Sequence, residues 1–254
     1  SRARHDLVFR GGTLVDGTGS PPRLADVAVD DGMITAVTEP GGLGEPAEQL
    51  VDATGLLVTP GWVDVHTHYD GQASWDPFLT PSSWHGVTSV VMGNCGVGFA
   101  PAAPDRHEWL IELMEGVEDI PGSALTEGIT WEWESFEQYL DALDARRYVI
   151  DIGAQVAHGP VRAYVMGERG AANEEPTADD IAAMSAIVER GLQAGALGFS
   201  TSRTPIHRSK SGELVPGTTA HDDELLGIAD ALRRAGHGVF QFAPDHAHVP
   251  RDEW

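Results

Sequence analysis

Gly61-Trp62-Val63-Asp64-Val65-His66-Thr67-His68 is the stretch on which the reading of this chain turns. An apolar run follows the Pro60-Gly61 turn and ends in His-x-His. Residues two apart in a β-strand share a face, so His66 and His68 project together from a strand end. Two neutral imidazoles side by side make a poor core and a good pair of ligands for a first-row metal ion. The competing reading is two core histidines, each satisfied by a backbone partner. Position favours the metal. The pair closes an apolar strand, with Asp64 before it and Tyr69-Asp70-Gly71 after, and parallel α/β sheets and barrels build their sites at strand C-termini.

Outward from this stretch the pattern divides. Towards the N-terminus, residues 7–10, 13–15, 26–29 and 34–37 are short β-like runs punctuated by Gly and Pro, with 41–46 as a surface turn. They predict a small β-domain over residues 1–60. From residue 61 to 254 buried strands alternate with helices. Strands are expected at 62–65, 87–92, 149–156, 196–200 and 238–242. The 135–146 segment is amphipathic, with Phe136, Tyr139, Leu140 and Leu143 on one face. Thr177 reads as the N-cap of a helix over 178–194, and Thr219 as the cap of a second helix ending near 235. Such alternation argues for parallel strands with helical crossovers. The count stops at about five strands, whereas a closed (β/α)8 barrel of the TIM type needs eight; an incomplete β/α barrel domain is expected.

Composition narrows the function classes. The 254 residues carry a formal net charge of −23 spread along the chain, which argues against nucleic acid or an anionic membrane as partner. No apolar run is long enough to span a bilayer, and the start, Ser-Arg-Ala-Arg-His-Asp, has no apolar signal segment; a cytoplasmic location is expected. The single cysteine, Cys95, excludes an internal disulfide. There is no G-x-S-x-G elbow and no P-loop, and "GGLGEPAEQ" opens no helix that would make it a dinucleotide fingerprint.

Several residues beyond the His-x-His pair carry potential chemistry. Cys95 ends "VTSVVMGNCG", where a strand meets its loop; it reads either as a small buried hydrophobe or as a metal-binding thiolate. Arg203, in "GFSTSRTPIH", follows the fourth strand. A guanidinium there holds a substrate carboxylate in a bidentate clamp or forms a surface salt bridge. His207 is a weaker candidate. His246 and His248 repeat the His-x-His spacing in a Pro-flanked segment and read as solvated loop histidines. Lys210 is the only lysine and lies in the polar stretch "HRSKSGEL".

"VTPGWVDVHTHYD" resembles the first barrel strand of the amidohydrolase superfamily, and "HDLVFRGGTLVDGTGSPPRLADVAVDDGMITAV" resembles its N-terminal β-segment. "LTPSSWHGVTSVVMGNCGVGFAP" and "AGALGFSTSRT" are similar to the D-aminoacylase branch, the N-acyl-D-amino-acid deacylases. The resemblance runs from about Asp6 to about Gln241. His-x-His alone is shared with hydantoinases, dihydroorotases and ureases; "GNCGVGFAP" is much narrower.

The resemblance implies a small N-terminal β-sandwich before a metal-bearing barrel. It also implies zinc, as one or two ions, with His66, His68 and Cys95 as ligands. Many binuclear relatives bridge their metals with a carboxylated lysine at a strand end. No strand here offers one, and Cys95 is the candidate for the missing negative charge. His158, in "IGAQVAHGPVRAYVMG", is similar to a "GH…LR" element of the branch. It is expected to polarise a scissile carbonyl or hold a leaving group, against a histidine that simply hydrogen-bonds a loop. Related D-aminoacylases place a metal-binding His at the end of strand five, where this chain has Ala243. Family members continue past residue 254, and the last strands, the Asp general base and the return strands of the β-domain are expected there. The expected activity is metal-dependent amide hydrolysis of a small-molecule substrate, an N-acyl-D-amino acid. The alternatives are a cyclic amide, as in hydantoinases, or a non-catalytic piece that needs further polypeptide or oligomerisation to complete its site.

Overall fold

The computed structural model describes residues 4–44 and 46–245. The chain divides into two units, Ser1–Gly61 and Trp62–Trp254.

In the first unit, β1 (His5–Leu14), β2 (Arg23–Asp30), β3 (Met33–Thr38), β4 (Ala47–Asp52) and β5 (Leu57–Val58) form one sheet. Its order is β3-β2-β1-β4, with β5 also on β1. β2 and β3 make a hairpin closed by Asp31 and Gly32, both at positive φ (51° and 77°), the left-handed pair that a two-residue hairpin turn requires. β1 pairs in parallel with β4 and β5. The polar run that forms β4 gives little strand signal by itself and is held by this pairing. Among the described residues the unit is a single sheet rather than two facing sheets. Val8, Leu14, Ala25, Val27, Ala28 and Ala53 are its buried apolar residues.

The second unit is a curled parallel sheet, a half-barrel of β6 (Trp62–Asp64), β7 (Val87–Met92), β8 (Asp151–Ala157), β9 (Gly198–Ser202) and β10 (Val239–Ala243). Sheet order follows chain order, β10-β9-β8-β7-β6. The helices are α1 (His107–Glu118), α2 (Gly122–Gly128), α3 (Phe136–Asp144), α4 (His158–Met166), α5 (Glu168–Ala171), α6 (Ala178–Ala194) and α7 (Asp222–Ala235). Their apolar faces meet the outer face of the sheet: Leu110, Leu113 and Met114 of α1, Met184 and Val188 of α6, and Ile228 of α7 share a core with Met92, Val156 and Phe199.

Local chemistry explains the helix ends. Ser135 and Gln138 form a capping box on α3, and Thr177 and Asp180 form one on α6. α7 differs from expectation. Its N-cap is His221, with no side-chain cap, and not Thr219. Three acidic residues, Asp222, Asp223 and Glu224, occupy its first turn, where the positive end of the helix dipole favours them.

The first barrel strand is also corrected. The sequence suggests a buried strand, but β6 is an edge strand with Trp62 61% and Val63 58% exposed. At the opposite edge Val239 of β10 is 63% exposed. An edge strand has a neighbour on one side only, so apolar character alone does not bury it. No helix among the described residues is long and apolar enough to cross a membrane.

Candidate metal centre

Beyond β6 the chain bends at His66 and is held to β7 by Thr67, whose N–H and Oγ1–H both donate to Val91 O at 2.9 Å. Thr67 is buried against β7. His66 and His68, one residue either side, bring their imidazoles together with Cys95.

Cys95 reaches them through a sharp turn. Gly93, Cys95 and Gly96 all have positive φ, at 77°, 55° and 72°. Gly93 permits no side chain, since a Cβ there would lie 2.2 Å from Gln155 O. Between them Asn94 is fully buried and ties three elements together. Its Nδ2 donates to Thr67 O and Val91 O (3.1 and 2.9 Å), and its Oδ1 accepts from Gln155 Nε2 (2.8 Å). Cys95 N–H donates to Gln241 Oε1 of β10 at 3.2 Å. The left-handed conformation of a non-glycine residue is uncommon and collects at functional sites.

The result is a cluster in which one donor atom each of His66, His68 and Cys95 lies within 4.8 Å of the others. His66 Nε2 is 3.0 Å from Cys95 Sγ. His66 is exposed, His68 half-buried and Cys95 buried, so the cluster opens to solvent on the His66 side.

Electrostatics fit a cation here. Burial, with His66 and His207 adding like charge, pushes the His68 imidazole down to about 3. Burial, with Glu118 and Asp70 nearby, pushes the Cys95 thiol up to about 12. Burial also raises the carboxyls of Asp70 and Glu118 to about 7 each. His68 Nδ1 and Asp70 Oδ2 are buried without a hydrogen-bond partner. Two imidazoles and a thiol converging on one place, with buried acids nearby, form a donor set that fits a divalent ion.

The other sequence candidates stand outside this donor group. His158 begins α4 and is fully buried. Its Nδ1 meets Thr201 Oγ1 at 2.8 Å and its Nε2 meets Glu224 Oε1 at 2.9 Å; Arg162 also donates to Glu224. With both ring nitrogens taken and no exposed surface, His158 sits inside a buried network. Arg203 Nη1 donates to Ala220 O (2.7 Å) and Gly217 O (3.4 Å), and no carboxylate among the described residues pairs with it. His207 is held by Ser202 (3.0 Å); burial and His66 lower its pKa, which places it beside the cluster. Lys210 pairs with Glu115 in a loop at 2.9 Å, away from any strand end. Ala243 ends β10, and His246 and His248 lie outside the described residues.

Glu118 was not legible from the sequence. It sits 3.2 Å from His68 Nε2 and ends α1, a helix whose Leu110, Leu113, Met114 and Val117 follow a helical period. That period was the available signal. Asp70 stands two residues after His68 in the quoted motif, but its burial is visible only in three dimensions.

Residues 49–252 match the family described as "Amidohydrolase family", and the chain belongs to that family. It is 36% identical over 215 residues to a D-aminoacylase of Alcaligenes xylosoxydans xylosoxydans, covering 83% of this chain and 40% of that one. Among solved structures, the N-acyl-D-glutamate deacylase of Bordetella bronchiseptica, complexed with zinc and a phosphonate inhibitor, is similar with TM-score 0.74 and 33% identity. That match covers 94% of this chain and 45% of the other. A D-aminoacylase studied for its binuclear metal centre gives TM-score 0.74 and 33% identity over 94% of this chain and 45% of its own. The chain thus spans about two fifths of the length of the curated relatives, 40% for the D-aminoacylase.

Proposed function

We propose that this chain carries part of the active site of a metal-dependent hydrolase that removes the acyl group from N-acyl-D-amino acids. The observation that carries the reading is the convergence of His66, His68 and Cys95 donor atoms within 4.8 Å at the C-terminal ends of adjacent parallel strands. Likeness to D-aminoacylase and N-acyl-D-glutamate deacylase supports the substrate class over a cyclic amide.

The proposed ion is zinc, because imidazole with thiolate is a donor set that suits it and a similar structure holds zinc. When bound, such an ion supplies Lewis-acid polarisation of the amide carbonyl and acidification of water. The chain's own residues do the rest. His66 and His68 present imidazole lone pairs to the ion. Cys95 gives up its proton on binding and contributes negative charge. Arg203, anchored through Nη1 to the 217–220 turn, offers its remaining N–H groups to the substrate carboxylate. His158 is a positioning residue: through Thr201 and Glu224 it fixes the end of β9 against the start of α7.

The test is turnover of N-acetyl-D-methionine, its L-isomer and a hydantoin by the intact gene product. The D-substrate is expected to be preferred, and His66→Ala or Cys95→Ala is expected to remove activity by at least roughly 100-fold. Preference for the hydantoin would overturn the substrate assignment. Full activity in both variants would overturn the site.

A further inference from the structure

Strand β10 contains no His, Cys, Asp or Glu, yet it reaches the metal centre. Gln241, in its middle, accepts the Cys95 backbone N–H at Oε1 (3.2 Å), across 146 residues of chain. Only the oxygen of a carboxamide accepts from an N–H, so the contact fixes which end of the side chain faces Cys95. The neighbouring strand completes the grip. Ser200 of β9 is the register partner of Gln241, and directly opposed residues share a face of the sheet. Ser200 Oγ accepts from Gly96 N–H at 3.0 Å and donates to Gly93 O. Successive N–H groups of the turn, those of Cys95 and Gly96, are thus taken by successive strands, β10 and β9.

Cys95 needs such a grip. At φ 55° it stands in the left-handed region, where a Cβ crowds the backbone and where a residue persists only when its surroundings over-determine it. Glycine would relieve the strain and lose the thiol. Gly96 next to it admits no side chain, since a Cβ there would lie 2.9 Å from Ser202 N, so the turn is pressed onto the end of β9. Cys95 is only 5% exposed. Without Gln241 its N–H would be left without a protein acceptor at a nearly buried position, and unpaired buried donors are costly. The same backbone carries Sγ to within 3.0 Å of His66 Nε2.

We propose that Gln241 is a positioning residue of the metal centre, its carboxamide oxygen holding the Cys95 backbone in the left-handed conformation that aims the thiol at His66 and His68. The inference rests on the metal-centre reading above. It gives β10 a part in the site through a side chain that touches no ion. It also makes the placement of the cysteine donor depend on a strand far from it in sequence.

The experiment compares the intact gene product with its Gln241→Met, Gln241→Asn, Gln241→Glu, Phe242→Ala and Cys95→Ser variants. Met keeps the side-chain length and loses the oxygen, Asn withdraws the oxygen by one methylene, and Glu keeps it in place. Phe242 is 46% exposed on the same strand and points to the opposite face, so Phe242→Ala reports what loosening β10 does alone. Urea midpoints check that each variant folds. In the metal-free protein, alkylation of Cys95 by iodoacetamide is followed on the Cys95 peptide by mass spectrometry. Gln241→Met is expected to speed it by about 2- to 10-fold, the weight of one neutral hydrogen bond. In the loaded protein Gln241→Met is expected to weaken zinc binding by about 10- to 100-fold and to shift the sulfur-to-cobalt charge-transfer band of the cobalt(II) form. Gln241→Asn is expected to show the same changes at smaller size and to stand in for Gln241→Met if that variant does not fold. Gln241→Glu should stay closer to the parent than either, and Phe242→Ala should match the parent in rate and band. Parent alkylation rate and parent band in both Gln241→Met and Gln241→Asn overturn the proposal, as do equal changes in Phe242→Ala. If Cys95→Ser leaves zinc affinity and cobalt spectrum unchanged, the metal-centre reading itself is refuted. The alkylation rates, which need no metal, separate that failure from a failure of Gln241 to hold the turn.

Discussion

His66 Nε2 lies 3.0 Å from Cys95 Sγ, across 29 residues of chain. The two leave adjacent parallel strands, β6 and β7, and they meet because side chains tie together the turns that follow each strand. Thr67 clips one to Val91, and Asn94 clips the other to Thr67. The chemistry of the site therefore depends on buried polar groups that never touch a ligand.

The turn that delivers Cys95 is the most fragile part of that arrangement. Gly93→Ala places a Cβ 2.2 Å from Gln155 O at a φ of 77°. Strain of this kind costs on the order of 1–3 kcal/mol before any clash is counted. The urea midpoint is expected to fall and zinc affinity to fall with it. Parent stability and affinity in the Gly93→Ala variant would show that the turn has room to spare.

Acid should destabilise the fold through the His158–Glu224 pair. Burial lowers the His158 pKa, outweighing the raising effect of Glu224. Below its unfolded value of 6.5 the unfolded chain binds a proton that the folded chain refuses, so stability falls with falling pH. Burial works to raise the Glu224 pKa, but His158 and Arg162 outweigh it and the net shift is downward. Its stabilisation is present above 4.5 and is lost as pH falls through the lowered value. Both effects have the same sign. Asp70 and Glu118, both raised to about 7, act with the opposite sign, so the readout is the difference between proteins: between pH 8 and pH 4 the urea midpoint is expected to fall further, or rise less, in the parent than in His158→Gln. Parallel profiles in the two proteins would contradict this.

Arg203 should act on binding. Arg203→Met removes a charge-assisted contact worth roughly 1.5–3 kcal/mol. It is expected to raise KM for an N-acyl-D-amino acid more than it lowers kcat, and to leave an uncharged amide substrate little affected. An equal loss on both substrates would mean that Arg203 serves only to hold the 217–220 turn.

Much of this architecture was legible in the sequence because periodicity reports burial directly. The five parallel strands fall where the apolar runs put them, and Thr177 caps α6 as its residue type suggests. His66 and His68 come together with Cys95, although the chain bends at His66. What escaped depended on partners distant in sequence. β4 is a strand through its pairing with β1. Glu118 reaches His68 only through the packing of α1. His158 read as a reactive histidine, but its buried partners Thr201 and Glu224 are 43 and 66 residues away.

The central claim is that His66, His68 and Cys95 bind one metal ion together. Zinc-edge X-ray absorption on the zinc-loaded intact gene product tests it directly. The account predicts one sulfur at about 2.3 Å with nitrogen and oxygen donors at about 2.0–2.2 Å, and loss of the sulfur shell in Cys95→Ser. A zinc shell without sulfur in the parent protein, or one that Cys95→Ser leaves unchanged, would contradict it.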